Sequence, residues 1–110
     1  MTKRKQFSKV LGNELKSIRY SLDLTMAEIS EKLSISQPVI NYYEKGQRIP
    51  SIETLRVYSD TCNIDFEHLF NLRVRCIKES YDTFTDDANF NLKNEYELIM
   101  YYENKLNKKE

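Results

Sequence analysis

The stretch EISEKLSISQPVINYYEKGQRIP, Glu28 to Pro50, holds two short apolar rhythms with a polar hinge between them. In the first, Ile29 and Leu33 recur at an interval of four, as one face of a helix requires. Ser34 to Ser36 breaks that pattern. In the second, Ile40 and Tyr43 form the inward side, and Gln37, Pro38, Asn41 and Tyr42 are left outside. Ser36 is a candidate N-cap. Pro38 falls in the first turn, where a missing N–H costs nothing, and Gly46 suits a left-handed helix end. Two helices of about eight residues joined by a turn of three or four form a helix-turn-helix if they cross steeply. A steep crossing needs a small residue where the backbones meet, and Ser30 lies midway along the first helix.

Upstream, Leu11, Leu15, Ile18 and Leu22 mark one face of a helix expected from about Lys9 to Leu22. Thr25 and Glu28 have the spacing of a capping box, and Met26 joins Ile29 and Leu33 in the inward stripe of the next helix. Downstream of the loop QRIPS, Ser51 caps a fourth helix carrying Ile52, Leu55, Tyr58 and Cys62, which Asn63 ends. Asp65 caps a short fifth helix with Phe66, Leu69 and Phe70. Beyond Asn71 the signal is mixed. Leu72, Val74 and Cys76 alternate as in a strand, whereas Leu69, Leu72 and Cys76 fit a helix; with no partner strand visible, a helix is expected. Residues 82–91 read as a linker or turn. A last helix is expected from about Asn91 to Lys108, with Leu92, Tyr96, Ile99 and Leu106 on one face.

The 110 residues suffice for one modest core, or a small domain with an appendage. Only two glycines and two prolines interrupt a chain rich in helix formers, so an all-α fold is expected. The longest uncharged apolar run, Leu98 to Tyr102, is far too short to span a bilayer, and MTKRKQF has no apolar stretch behind it to make a secretory signal. A cytoplasmic protein with no membrane role is expected. Cys62 and Cys76 then read as reduced, partly buried thiols. With one histidine, His68, and no paired cysteines, neither a metal site nor any cofactor is expected. No nucleophile–base set and no glycine-rich phosphate loop is visible, which argues against an enzyme. Residues 1–50 hold nine Lys/Arg against five Asp/Glu, and residues 51–110 eight against twelve. A front half at +4 and a back half at −4 imply that only the front meets a polyanion.

From Leu11 to Phe70 the chain resembles the DNA-binding domain of the phage-repressor/Cro family, the XRE type. The resemblance rests on LGNELKSIR, LTMAEISEKLSIS, QPVINYYEKGQRIPS and TLRVYSDTCNIDFEHLF, in that order and spacing. It implies a five-helix domain at 9–71, preceded by a basic arm at 1–8 (Lys3, Arg4, Lys5) and followed by a helical region at 72–110 for dimerisation or partner binding. Three positions depart from the family's usual residues. Met26 stands where a phosphate-binding Gln is usual, Ser30 where Ala is usual, and Ser34 where the turn usually has Gly.

Carried over by position, the resemblance places Gln37, Pro38, Asn41 and Tyr42 against bases in the major groove. Gln and Asn can pair bidentately with adenine, and Pro38 and Val39 can meet thymine methyl groups. It places Thr25, Lys45 and Arg48 on phosphates, and Arg19 and Glu44 in an ion pair that orients the reading helix. The last helix carries more apolar circumference than one small domain can cover, and Tyr96, Ile99, Tyr102 and Leu106 are its candidate dimerisation residues. The expected function is that of a homodimeric, sequence-specific repressor of a phage, plasmid or similar element, bound to an inverted-repeat operator in double-stranded DNA. The competing expectation is an antitoxin or inhibitor-type interaction module on the same fold, with a protein partner on the C-terminal helix.

Overall fold

The computed structural model describes residues 6–79 and 90–107. Of the expected basic arm at 1–8, residues 1–5 lie outside these residues, as does most of the 82–91 linker; residues 6–8 are not arm but the first turn of a helix. Among the described residues every regular element is an α-helix: α1 Gln6–Ser21, α2 Met26–Leu33, α3 Gln37–Glu44, α4 Ile52–Cys62, α5 Phe66–Glu79 and α6 Phe90–Asn107.

The core is built from the inward stripes of α1 to α5. Leu11, Leu15, Ile29, Ile40, Leu55, Tyr58, Leu69, Cys76 and Ile77 are all but sealed from solvent. Each large aliphatic among them contributes about 1.5–3 kcal/mol through burial. The helix starts are local. Thr25 Oγ1 accepts from the Glu28 N–H at 3.1 Å, and Glu28 Oε1 accepts from the Thr25 N–H at 2.9 Å, so the capping box is closed. Ser51 accepts from the Thr54 N–H at the start of α4. Ser36 occupies the cap position of α3, but its side chain makes no cap hydrogen bond.

The ends of α1, α2 and α4 repeat one device. Asp23, Ser34 and Asn63 take left-handed backbone angles, φ 59°, 57° and 59°. The next residue, Leu24, Ile35 or Ile64, then donates its N–H to the carbonyl five positions back, on Arg19, Ser30 or Ser59. In each case the side chain of that earlier residue donates in return to the carbonyl of Leu24, Ile35 or Ile64. The two bonds fix where the chain leaves the helix. They also press an aliphatic side chain onto the core.

This device corrects one expectation. Leu22 is not on the buried stripe of α1; it is 44% exposed. The helix ends at Ser21, the chain reverses at Asp23, and Leu24 packs on the core in its place. Two more expectations change. Ile52 is not a core residue: it is 36% exposed, because a side chain in the first turn of α4 leans back past the core edge. Nor is α5 short. It continues unbroken to Glu79, so residues 72–79 are helical, and its second half seals α1 with Cys76 and Ile77. Glu79 also accepts the Phe7 N–H at 2.6 Å, so the end of α5 caps the first turn of α1.

Candidate nucleic-acid interface

α3 is held on its back by buried contacts. Ile40 is fully buried, and Tyr43 and Glu44 are nearly so. Arg19 Nε and Nη2 donate to the two Glu44 carboxylate oxygens at 2.8 and 2.9 Å. Arg19 Nη1 also donates to the Leu24 carbonyl, so one guanidinium joins α1, the turn before α2 and the end of α3. The paired carboxylate strengthens the hold of Arg19 on its proton. Gly12 lets α1 approach: a Cβ there would stand 2.5 Å from the Tyr43 carbonyl oxygen and 2.8 Å from that of Glu44.

The outward side of α3 is polar. Gln37 and Pro38 are exposed, Asn41 is half-buried, and all three line one open hollow with Met26 and Ser30 of α2. The hollow exists because Ser30 is small and turns its hydroxyl inward, donating to the Ile35 carbonyl at 2.6 Å. Val39 is half-buried and packs against the core. Tyr42 stands apart from the hollow, its ring 4.8 Å from the guanidinium carbon of Arg48. The candidate base reader and the candidate phosphate anchor are therefore stacked on each other.

Thr25 is exposed at the start of α2. Its Oγ1 accepts within the capping box and keeps its own proton to donate outward. Lys45 and Arg48 are exposed just beyond α3, where Gly46 at φ 75° makes the turn. Met26 packs partly on the core and supplies no polar atom suited to a phosphate.

The arrangement is that of a helix-turn-helix motif mounted on a rigid frame. The helix-turn-helix family model matches residues 15–69, half of the chain. The chain belongs to the XRE-type helix-turn-helix family. That is a family of DNA-binding regulators of the Cro/C1 type, and membership agrees with the all-helical fold and the open α2–α3 hollow. No curated protein matches the chain.

Beyond the matched residues lies α6, whose candidate dimerisation residues divide. Tyr96 and Ile99 are half-buried, and Ile99 lines a groove with Phe70 and Val74 of α5. Tyr102 is 56% exposed, as are Leu98 and Tyr101 to a similar degree. The side chain of Leu106 lies outside the described residues. Arg73, which sequence reasoning passed over, anchors this end. It is buried, donates to the Pro50 carbonyl at 2.6 Å and pairs with Glu95 of α6. Its only trace in the sequence is an Arg at a position where the α5 periodicity calls for an apolar residue. Among the described residues no helix is long and apolar enough to cross a membrane, and no cluster suited to a metal is present.

Proposed function

We propose that this protein is a homodimeric, sequence-specific transcriptional repressor of a phage, plasmid or similar element, acting in the cytoplasm on an inverted-repeat operator. The observation that carries the reading is the α2–α3 hollow, where Gln37 and Asn41 stand outward on a helix whose back is fixed by Ile40, Tyr43 and Glu44. A base reader must present its amide in one geometry, and a short helix clamped from behind does so at little entropic cost. Thr25, the start of α2, Lys45 and Arg48 supply phosphate contacts around it, which set register without reading sequence.

One such motif reads too few bases for useful specificity, so a dimer is part of the reading. The surface that supports it is the outer edge of α6, where Leu98, Tyr101 and Tyr102 are exposed near Ile52. The same patch supports a second reading, in which a protein partner sits there, as in an antitoxin or inhibitor. Selection of bound duplexes from a random DNA pool tests the proposal. Enrichment of an inverted repeat supports a dimeric operator-binding protein, and no enrichment with saturable binding to a protein partner supports the second reading.

A further inference from the structure

The reading line of α3 does not end in bare solvent. Gln37, Asn41 and Lys45 follow at intervals of four, one above the other on the outward side. At 1.5 Å per residue that line is about 12 Å long, close to the width of a DNA major groove. With Gln37 at a base edge, Lys45 therefore comes to the groove wall, where the sugar–phosphate strand runs.

There Lys45 lines a hollow with Lys9, Asn13 and Lys16 of α1 and with Glu44, Gly46 and Gln47. The two helices abut. A Cβ on Gly46 would lie 2.9 Å from the Lys9 Cα, so the start of α1 rests on the exit from α3. Lys9, Asn13 and Lys16 recur at intervals of four and three on one side of α1, with no acidic residue among them. Glu44 is the acidic group in the hollow's wall, and Arg19 occupies both of its oxygens. All three lysines are exposed, and none forms an ion pair among the described residues.

We infer that Lys9 and Lys16 of α1, with Lys45, form a phosphate-binding hollow for the backbone of duplex DNA, which extends the footprint of α3 beyond the groove it reads. The inference rests on the DNA-binding reading above. Asn13 and Gln47 add neutral donors to the same wall. The competing role for lysines at this place is local: they stabilise the carbonyl end of α3 and touch no ligand.

The test is the salt dependence of duplex binding by the full chain and by Lys9→Gln/Lys16→Gln, with thermal unfolding of both in the same buffers. Each phosphate contact contributes about 0.9 to the slope of log K against log salt, so the double substitution should flatten the slope by about 1.8. The preference for the selected site over random DNA should be unchanged, because phosphate contacts carry no sequence information. Lys16→Gln alone, which leaves the Lys9 stem against Gly46, should flatten the slope by about 0.9 and keeps the test valid if the double variant unfolds. An unchanged slope in a folded variant overturns the inference, and an unchanged slope with a lowered melting temperature assigns the lysines to the α3 terminus. A full chain that shows no salt-dependent binding to any duplex overturns the DNA reading itself, which is a different result.

Discussion

Arg19 and Glu44, twenty-five positions apart, hold each other through two hydrogen bonds, with side chains only 10% and 4% exposed. The pair spans α1 and α3 behind the outward amides, so it fixes the direction in which α3 points. Desolvation offsets much of the attraction in such a pair, and its net contribution to stability is small. Its loss is a different matter, because one charge then remains buried without its partner.

Arg19→Ala and Glu44→Ala should each destabilise the fold by roughly 3 kcal/mol. The double variant should cost clearly less than the sum of the two, since it strands neither charge. Denaturant unfolding of the four proteins measures this. Additive effects would mean that the two side chains contribute separately.

The Tyr42 ring and the Arg48 guanidinium form a second pair. An exposed stack of this kind is worth about 0.5–1 kcal/mol and keeps a flexible side chain in place. Tyr42→Phe should therefore leave DNA affinity nearly unchanged, while Tyr42→Ala and Arg48→Ala should weaken it alike and without additivity. If Tyr42→Phe lost as much as Tyr42→Ala, the hydroxyl and not the ring would be the contributing group.

Tyr58 is fully buried, and its hydroxyl has no hydrogen-bond partner among the described residues. Burial, followed by the nearby Glu44 carboxylate, raises its pKa far enough that the phenol stays neutral at any physiological pH. An unmade buried hydrogen bond costs about 1–3 kcal/mol, so Tyr58→Phe should leave thermal stability equal or improved. A fall of several degrees would reveal a partner for that hydroxyl.

The proposed dimer can be tested without removing α6, which also covers Arg73 and the α5 side of the groove. Leu98→Glu/Tyr102→Glu alters two exposed side chains and leaves Tyr96 and Ile99 in their packing. Sedimentation should show a monomer, and operator affinity should fall steeply because each half-site must then be bound independently. A variant that stays dimeric would move the interface elsewhere on the domain.

What could be read from the sequence was whatever the chain settles locally. The capping box of Thr25 and Glu28, the Ser51 cap, and the left-handed Gly46 and Asn63 all involve neighbours within a turn, and each falls where the pattern placed it. Gln37, Pro38 and Asn41 stand out in the sequence as outward positions of a short, otherwise packed helix, and a role against bases comes to them from the family resemblance. The features that were not legible depend on distant partners. Gly12 looks ordinary until the carbonyls of Tyr43 and Glu44 arrive against it. Arg73 reads as a solvated charge until Pro50 and Glu95 close over it. Leu22 fits the helical face of Leu11, Leu15 and Ile18, and only the reversal at Asp23 takes it out of the core and brings Leu24 in. Lys9 and Lys16 show a spacing but no purpose until α1 is laid beside the exit of α3.

The central claim is that α3 reads DNA sequence through Gln37. The most direct test compares the full chain with Gln37→Ala, both on the duplex selected from a random pool and on unrelated DNA, at one fixed salt concentration. A bidentate amide–adenine contact is worth about 1–3 kcal/mol of discrimination, so the substitution should weaken the selected site by roughly five- to a hundredfold and barely change binding to unrelated DNA. Equal losses on both duplexes, or no loss on either, would contradict the account.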